Sequence, residues 1–260
     1  MQPAITFLWM LLAVATSAAQ SVVPITQEPS HHLTISNRYV RVFEVEVPPH
    51  AETLYHQHDY DYLFVSIGDA DITSTRLHEQ PVALKLRDGQ VEFSKGPFAH
   101  KATNLGDGPF RNVTIELLEG LGSPLCGVPG GQQSCGVGTG WGGGSVGVAA
   151  SVPSIERSQF SGGASWSGGE FPVMRGSRVT VSQFSTQGNS EIPSNALPER
   201  PFLLIAISPM KFRWSSQNGT KEFSANSGDV FWNEAPELKF VVLPDKAKFL
   251  TIAFPTQKTQ

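Results

Sequence analysis

Three histidines occur at a spacing that could hold one metal ion. His56 and His58 are two positions apart in the stretch YHQHDYDYLFVSIGD, which runs on into an apolar segment rich in branched side chains. Side chains in a strand alternate between two faces, so both imidazoles should point to the same side. His100 follows the turn-like stretch FSKGPFA and enters a second predicted strand. The pattern predicts a divalent metal site made of His56, His58 and His100.

The chemistry of such a site depends on which metal binds. Three neutral imidazoles leave the ion its full charge and leave open positions for water, O₂ or a substrate oxygen. Iron(II) would favour oxygenation, whereas zinc, manganese or nickel would favour Lewis-acid chemistry on water or a carbonyl. Imidazole binds most first-row metals, so the sequence leaves the metal open among Fe, Zn, Mn and Ni, and leaves open whether the protein is an enzyme.

Several residues near the histidines could assist. Tyr62 shares the strand parity of His58 and is the candidate fourth ligand and catalytic residue. Tyr60 and Glu116 are further candidates for proton transfer. Asp59 and Asp61 would need a bulge to reach the ion, so we expect them at the rim or behind the ligands.

The elements that must position these residues are short strands that occur twice. Leu63–Ile67 (LFVSI) aligns with Leu203–Ile207 (LLIAI), and GQV from Gly89 aligns with GDV from Gly228. The order of strands and turns repeats at an offset of roughly 140 residues, which indicates a duplicated unit. Helical periodicity is not sustained in the mature chain, so the fold class is all-β, with each unit a closed jelly roll.

The boundaries of these units follow from composition. Residues 1–19 read as a signal peptide, with an apolar run from Ala4 to Ala15 and then small residues. Residues 20–122 form the first unit and residues 156–260 the second. Between them, residues 123–155 are a glycine-rich linker that contains Cys126 and Cys135, where a disulfide closing the short loop is expected in an exported chain.

The composition limits the classes of partner that we expect for this protein. The 260 residues carry a formal charge of -4 with a pI near 6.0, which gives no basic field for nucleic acid. No segment after the signal is long and apolar enough to cross a membrane. We therefore expect a secreted or periplasmic protein whose partner is a small-molecule ligand or substrate, with a homodimer allowed.

The motifs around the histidines resemble those of the cupin superfamily. PPHAETLYHQHDYDYLFVSIGD matches the two histidines and the closing glycine, Gly68, of the first cupin motif. GQVEFSKGPFAHKATN matches Gly89, Gly96, His100 and Asn104 of the second, with one extra residue before the histidine. The resemblance covers both repeats and implies a bicupin: two tandem cupin barrels (double-stranded β-helices) joined by the linker.

Two positions depart from the family pattern. The glutamate ligand of the first motif is missing, because Tyr62 and Leu63 occupy the places where it would stand. His50 occupies the usual place of the opening glycine. The resemblance therefore implies either a site of three histidines alone or one completed by Tyr62 or a nearby carboxylate.

The second repeat should not bind metal, because all seven histidines lie at or before His100. Opposite the paired histidines it reads SNALPE from Ser194, and we align Lys239 with His100. His31, His32, His50 and His78 are expected to be solvated residues outside the site.

These observations predict a secreted cupin that binds a divalent ion in its first barrel, as a metal-dependent oxygenase or isomerase. The alternative is a non-catalytic module that binds a sugar or small acid, with a structural second barrel. A storage role, as in seed-storage bicupins, would not require three clustered histidines.

Overall fold

The structure is a computed structural model that describes residues 21–120, 122, 168–175, 178–192, 197, 201–216, 219–234, 239–243 and 246–254. The predicted signal peptide, the glycine-rich linker and both cysteines lie outside these residues, so these predictions and the exact domain boundaries stay predictions. Within the described residues, no helix is long and apolar enough to cross a membrane.

The described chain is all-β, as predicted. The elements of the first half are β1 (Val23–Pro24), a 3-10 turn (Ile25–Gln27), β2 (His31–Ser36), β3 (Val40–Val47), β4 (His56–His58), β5 (Asp61–Ile67), β6 (Ala70–Arg76), β7 (Val82–Leu86), β8 (Val91–Ser94), β9 (Phe98–Asn104) and β10 (Phe110–Leu117). Those of the second half are β11 (Gly168–Arg175), β12 (Thr180–Thr186), β13 (Ser190–Ile192), β14 (Phe202–Ala206), β15 (Met210–Ser216), β16 (Gly219–Ala225), β17 (Val230–Asn233), β18 (Lys239–Val242) and β19 (Ala247–Ala253).

Each half forms two sheets that face each other. In the first barrel the sheets have the orders β1-β4-β9-β6-β7 and β2-β3-β10-β5-β8. In the second barrel the orders are β11-β12-β19-β14-β17 and β13-β18-β15-β16. Apart from β1, which has no counterpart among the described residues of the second half, the two halves repeat the same strand order, so the duplication predicted from the sequence is confirmed.

Strand alternation distributes the apolar side chains among three cores. On β5, Tyr62 and Phe64 belong to the interior of the first barrel, whereas Leu63 and Val65 belong to a core that also contains Leu203 and other residues of the second barrel. The second barrel has its own interior core, rich in phenylalanine. The barrels therefore pack together through the sheets β2-β3-β10-β5-β8 and β11-β12-β19-β14-β17, and each keeps a separate interior.

Candidate metal centre

The structure brings His56, His58 and His100 together inside the first barrel. The ligating nitrogens of the three rings lie within 4.8 Å of one another, and the side chains are buried. His56 and His58 share a face of β4, and His100 on β9 lies directly opposite His56 in the antiparallel register. The geometry that the spacing predicted is thus produced by two neighbouring strands.

The Nε2 atoms of His58 and His100 are 3.2 Å apart. Two imidazole nitrogens bound at about 2.1 Å to one tetrahedral ion lie about 3.4 Å apart, so this spacing suits a shared metal. Two neutral rings can also share a hydrogen bond at this distance, which would need one Nε2 to carry a proton. The contacts of the other ring nitrogen bear on which of these states each ring adopts.

That nitrogen, Nδ1, faces a polar neighbour in all three rings. The Nδ1–H of His56 donates to the carbonyl oxygen of Leu54 at 2.9 Å, which leaves Nε2 with its lone pair. Nδ1 of His100 is 2.8 Å from the Ser74 hydroxyl. Nδ1 of His58 lies 3.5 Å from Oε1 of Glu116. The Leu54 carbonyl and the Ser74 hydroxyl are partners of the kind that orient metal-binding imidazoles and direct Nε2 to an ion, whereas Nδ1 of His58 makes no hydrogen bond within the described residues and has Glu116 only nearby.

Burial of these rings leaves polar atoms that a cation would satisfy. Nε2 of His56 is buried and has no hydrogen-bond partner among the described residues, a state that costs about 1–3 kcal/mol. Burial, reinforced by the charge of His31, lowers the pKa of His56 to about 4. Burial also lowers the pKa values of His58 and His100 well below the usual range. All three rings are therefore neutral near pH 7, which is the metal-binding form, and the cluster could hold a metal ion.

The facing sheet covers the cluster with Tyr62 and Glu116. The Tyr62 ring is buried and stacks on His58, with ring centroids 4.0 Å apart and an interplanar angle of 14°. Glu116 lies directly opposite Tyr62 in the sheet register and is fully buried. Its Oε2 is 2.6 Å from Nη2 of Arg41. Burial raises the pKa of Glu116, and the Arg41 guanidinium opposes that rise.

The other sequence candidates lie at the rim. Asp59 and Tyr60 are exposed, and the Arg41 guanidinium lies over the Tyr60 ring at 5.3 Å. Asp61 accepts a hydrogen bond from the backbone N–H of Gly96 at 3.1 Å. A Cβ at Gly96 would lie 2.4 Å from the Tyr60 carbonyl oxygen, so this turn requires glycine. Asp61 therefore holds the turn that precedes β9, and Tyr60 is not part of the buried cluster.

Two further motif positions are structural. The amide of Asn104 donates to three backbone carbonyls, of Val47, Pro48 and Gly108, and thereby ties the end of β9 to its neighbouring loops. His50 is exposed and has a φ of 56°, the left-handed conformation that favours glycine. A glycine, which the cupin motif would have at this position, adopts this conformation without strain.

The prediction that His31 is a solvated residue outside the site is wrong. Its side chain is only 5% exposed, and its ring centroid is 4.5 Å from that of His56. Nδ1 of His31 is 2.5 Å from Oε2 of Glu28, which is also buried. Burial alone would raise the pKa of Glu28, but hydrogen bonds from His31 and the Leu54 N–H outweigh it and lower the pKa. The available sequence signal was strand alternation in HHLTIS, which predicts that His31 and His32 point to opposite faces. It did not show which of the two points into the barrel.

A cavity extends from the cluster into the first barrel. Its volume is about 30 Å³, counted as the space open to the centres of water-sized molecules, which exceeds the ~10–15 Å³ that one water needs. Its polar lining is His31, Thr53, Tyr62, Ser74, His100, Asn112 and Thr114. The remaining lining residues are apolar, so the cavity offers both polar and apolar contacts to a small molecule.

The register of the second barrel corrects one alignment made from the sequence. Phe212 pairs with Val242, as Ile72 pairs with Asn104, so Lys239 corresponds to Lys101 and not to His100. The same correspondence relates two ion pairs, Lys239–Glu191 at 2.9 Å and Lys101–Glu52 at 2.7 Å. Lys239 follows Phe231 by eight positions, whereas Lys101 follows the equivalent Glu92 by nine, and this one-residue difference shifted the alignment.

Comparison with known proteins gives the fold a name. No family model and no curated protein matches the sequence. Among solved structures, a salicylate 1,2-dioxygenase from Pseudaminobacter salicylatoxidans is 10% identical with a TM-score of 0.53, covering 89% of this chain and 78% of the dioxygenase. AerE from Microcystis aeruginosa is 12% identical with a TM-score of 0.52, covering 88% of this chain and 99% of AerE. A cupin domain from Bordetella pertussis is 28% identical with a TM-score of 0.32, covering 34% of this chain and 90% of that domain.

The chain has the cupin fold. The first two matches extend over nearly all of this chain, which is consistent with a bicupin. The identities are low, so the likeness defines the cupin fold and not a reaction. The histidine cluster then occupies the interior of the first cupin barrel.

Proposed function

We propose that the first cupin barrel binds one divalent metal ion through His56, His58 and His100 and acts on a small molecule bound in the adjoining cavity. The observation that carries the proposal is the convergence of three neutral imidazoles, two of which have Nε2 atoms 3.2 Å apart. The Nδ1 partners of His56 and His100, the Leu54 carbonyl and the Ser74 hydroxyl, support it because they leave Nε2 of these rings free to face an ion.

The protein's own residues would divide the work in the cavity. A bound metal would supply a Lewis acid or, as iron(II), a site for O₂ chemistry. Tyr62, stacked on His58, would close the cluster from the facing sheet and exclude water. Ser74 and Glu116 would hold the His100 and His58 rings in orientation. Oxygenase chemistry is the first to test, because one protein of the same fold is a salicylate dioxygenase.

Further assignments belong to this proposal. Tyr62 stays a candidate fourth ligand and catalytic residue, and the metal stays open among Fe, Zn, Mn and Ni. The second barrel supports the first through the shared core between the barrels. Export to the periplasm or the cell exterior belongs to the proposal as well, and it rests on the N-terminal sequence alone.

Elemental analysis of the purified mature protein tests the metal site. We expect about one equivalent of metal in the wild type and almost none in the His56→Ala/His100→Ala double variant, because one imidazole cannot retain the ion. His78→Ala is the matched control, since His78 is exposed and lies outside the cluster. Circular dichroism would establish that each variant is folded.

The identity of the metal then selects the activity assay. Iron would lead to measurements of O₂ consumption with thiols and small phenols, and zinc, manganese or nickel to isomerase and hydrolase assays. If folded wild-type protein holds no metal even after reconstitution, the proposal fails. In that case the non-catalytic ligand-binding module becomes the better description.

A further inference from the structure

Arg76 lies beside the histidine cluster, and the proposed function does not use it. It ends β6 and is directly opposite His100 of β9, which is in turn opposite His56 of β4. Side chains of residues that are directly opposite in antiparallel strands share a face of the sheet. Ser74, two positions earlier on β6, lines the barrel cavity and so has the same orientation. Arg76 therefore belongs to the inner face that carries the metal-binding residues.

An aromatic contact holds the Arg76 side chain at this end of the barrel. The guanidinium carbon, Cζ, lies 4.0 Å from the centre of the Phe98 ring, an arrangement in which the ring face attracts the cation. The Phe98 ring lies 5.4 Å from the His100 ring and 5.8 Å from the His58 ring, measured between centroids. Arg76 and Phe98 are both half-buried. The positive charge is thus held beside the cluster at a place that solvent can reach.

No described acidic residue is paired with this charge. In the part of the chain that the structure describes, no carboxylate oxygen lies within 4.0 Å of an Arg76 nitrogen, and the buried Nε has no hydrogen-bond partner. Arg41, which approaches the cluster from the facing sheet, instead has Oε2 of Glu116 at 2.6 Å. A cation that is partly removed from water is unfavourable unless a counter-charge or hydrogen-bond acceptors compensate it. Arg76 therefore offers its N–H groups to a ligand.

A metal ion in the proposed site would increase the excess of positive charge. Three neutral imidazoles bring no negative charge to a divalent ion, and Tyr62 and Leu63 occupy the places where the cupin motif would have a glutamate. The Glu116 carboxylate is already matched by Arg41. The charge of the ion would therefore add to that of Arg76, and an anionic ligand is the group that would compensate both.

The second barrel lacks this arginine together with the histidines. The strand registers that relate β15 to β6 place Ser216 at the position of Arg76. The second repeat also has no histidine. The same fold is therefore formed without a cation at this position, which favours a role of Arg76 in binding over a role in forming the barrel.

We propose that Arg76 binds the carboxylate group of the ligand of the first barrel, and that this ligand is a small carboxylic acid in its ionised form. A guanidinium presents its N–H groups in a planar fork that matches the two oxygens of a carboxylate. Arg76 would then give the site its preference for acids over neutral molecules of the same shape. The inference deepens the proposed function and rests on it, because it names the ligand class of the same site.

The probes are propionate and propionamide, which have nearly the same shape but differ in charge at neutral pH. Each is titrated at fixed ionic strength into the mature protein labelled with ¹⁵N-arginine, and the Nε–H signal of Arg76, assigned by its absence in Arg76→Lys, is followed. We expect propionate to shift this signal and to bind about 10-fold more tightly than propionamide, because hydrogen bonds to a charged acceptor are the stronger ones. An unshifted Arg76 signal, or equal affinities, would overturn the inference.

Variants of Arg76 separate binding of the acid from packing on Phe98. Arg76→Met keeps an unbranched side chain against the ring but removes the charge, so the preference for propionate should fall while metal content stays at the wild-type level. Arg76→Lys keeps the charge without the planar fork and should retain part of the preference. Arg87→Met is the control, because Arg87 is exposed and lies 3.5 Å from Asp69. An undiminished preference in Arg76→Met would show that Arg76 only packs on Phe98.

The same titrations on metal-free protein distinguish the role of Arg76 from that of the metal, since an ion can also attract a carboxylate. We expect the preference for propionate to persist in metal-free wild type and to disappear in metal-free Arg76→Met. A protein that binds metal but shows no preference dependent on Arg76 would refute the role of Arg76 alone. A preference dependent on Arg76 in protein that holds no metal even after reconstitution would refute the metal site alone.

Discussion

The two barrels share a strand order but fill their interiors differently. The registers of β10 and β19 place Phe249 where the first barrel has Asn112, and Ala253 where it has Glu116. In the same way, Phe202 occupies the position of Tyr62. At these three positions a buried polar side chain of the first barrel is therefore replaced by an apolar one in the second.

The opposite sheets differ in the same direction. Phe240 occupies the position of Ala102, and Trp214 that of Ser74. The interior of the second barrel includes a series of fully buried rings: Phe184, Phe202, Phe212, Phe240 and Phe249. Close packing of aromatic rings stabilises a core, whereas buried polar groups lower stability unless every one is paired.

This difference indicates what each barrel is for. A fold that can be filled with phenylalanine does not need histidine, serine and glutamate in its interior for stability. The first barrel retains these residues around a cavity. Side chains that do not favour stability are typical of functional sites. The second barrel has the interior of a structural unit.

The largest effect on stability should come from removing an aromatic ring of the second barrel. The Phe249 ring is fully buried and stacks on Phe184 with centroids 4.8 Å apart. We expect Phe249→Ala to lower the free energy of unfolding by about 3–5 kcal/mol, because it leaves a cavity in a packed core. Urea unfolding followed by circular dichroism measures this change.

The matched change in the first barrel is Asn112→Ala. Asn112 already lines a cavity, and its Oδ1 accepts one side-chain hydrogen bond, from Thr114. We expect a loss of only about 1–2 kcal/mol. A larger loss for Asn112→Ala than for Phe249→Ala would contradict the division into a functional and a structural barrel.

Acid should destabilise the first barrel selectively in metal-free protein. The pKa of His56 is about 4, below its usual 6.5, so the unfolded chain binds more protons than the folded chain between these pH values. Stability is therefore lost as the pH falls from 6.5 towards 4. His56 alone accounts for roughly 3 kcal/mol, at about 1.4 kcal/mol for each pKa unit, and His58 and His100 act in the same direction.

Hydrogen–deuterium exchange, corrected for the intrinsic effect of pH, resolves the two barrels. Amides of β4 and β9 should lose protection at pH 4.5 before those of β14 and β19, since the second repeat has no histidine. Bound metal should delay the loss. Equal acid sensitivity of the two barrels would indicate that the histidines do not govern it.

Replacing Glu116 should lower the metal affinity, whereas replacing another buried acid of the same barrel should not. Glu116→Gln removes the carboxylate beside His58 Nδ1, and we expect metal affinity to fall about 10- to 100-fold. Competition with a chelator measures the affinity. Glu92→Gln is the control, because Glu92 is 4% exposed and accepts a hydrogen bond from Gln90. Similar losses in both variants would make the effect one of barrel stability.

Much of this comparison was visible in the sequence. Alternation in strands placed His56 and His58 on one face, and the repeat of LFVSI as LLIAI predicted two barrels of the same order. The absence of histidine after His100 also assigned the metal site to the first barrel. Local periodicity carries such information because it depends only on neighbouring residues.

The features of the site that the sequence did not predict depend on contacts between distant segments. His31 lies 25 positions before His56 in the numbering, and the pairing of β2 with β3, together with that of β1 with β4, brings its segment to the cluster. The sequence makes Glu116 a candidate for proton transfer, but its place beside His58 and Arg41 follows from the facing of two sheets. The alignment of Lys239 failed because a one-residue shortening changes strand register without changing composition.

The smallest effect should appear where the two barrels remain alike, at their shared face. A Cβ at Gly89 would lie 3.2 Å from the Ile207 side chain, and one at Gly228 would lie 3.7 Å from the equivalent Ile67. Gly89 has a φ of 76°, so Gly89→Ala adds contact with the other barrel to backbone strain of about 1–2 kcal/mol. Gly68→Ala is the control, because Gly68 has a φ of 88° but no atom within 4 Å of the added Cβ.

Unfolding of the two alanine variants in urea should therefore differ by no more than about 1 kcal/mol, with Gly89→Ala the less stable because of its contact with Ile207. Gly228→Ala should behave like Gly89→Ala, since its Cβ would meet Ile67 and Arg111 of the first barrel. If Gly89→Ala and Gly68→Ala were equally stable, Ile207 would have room to move and the shared face would be loosely packed. A measurable difference in stability would show that the contacts between the barrels are tight. The differences between the two barrels would then lie in their interiors and not at their shared face.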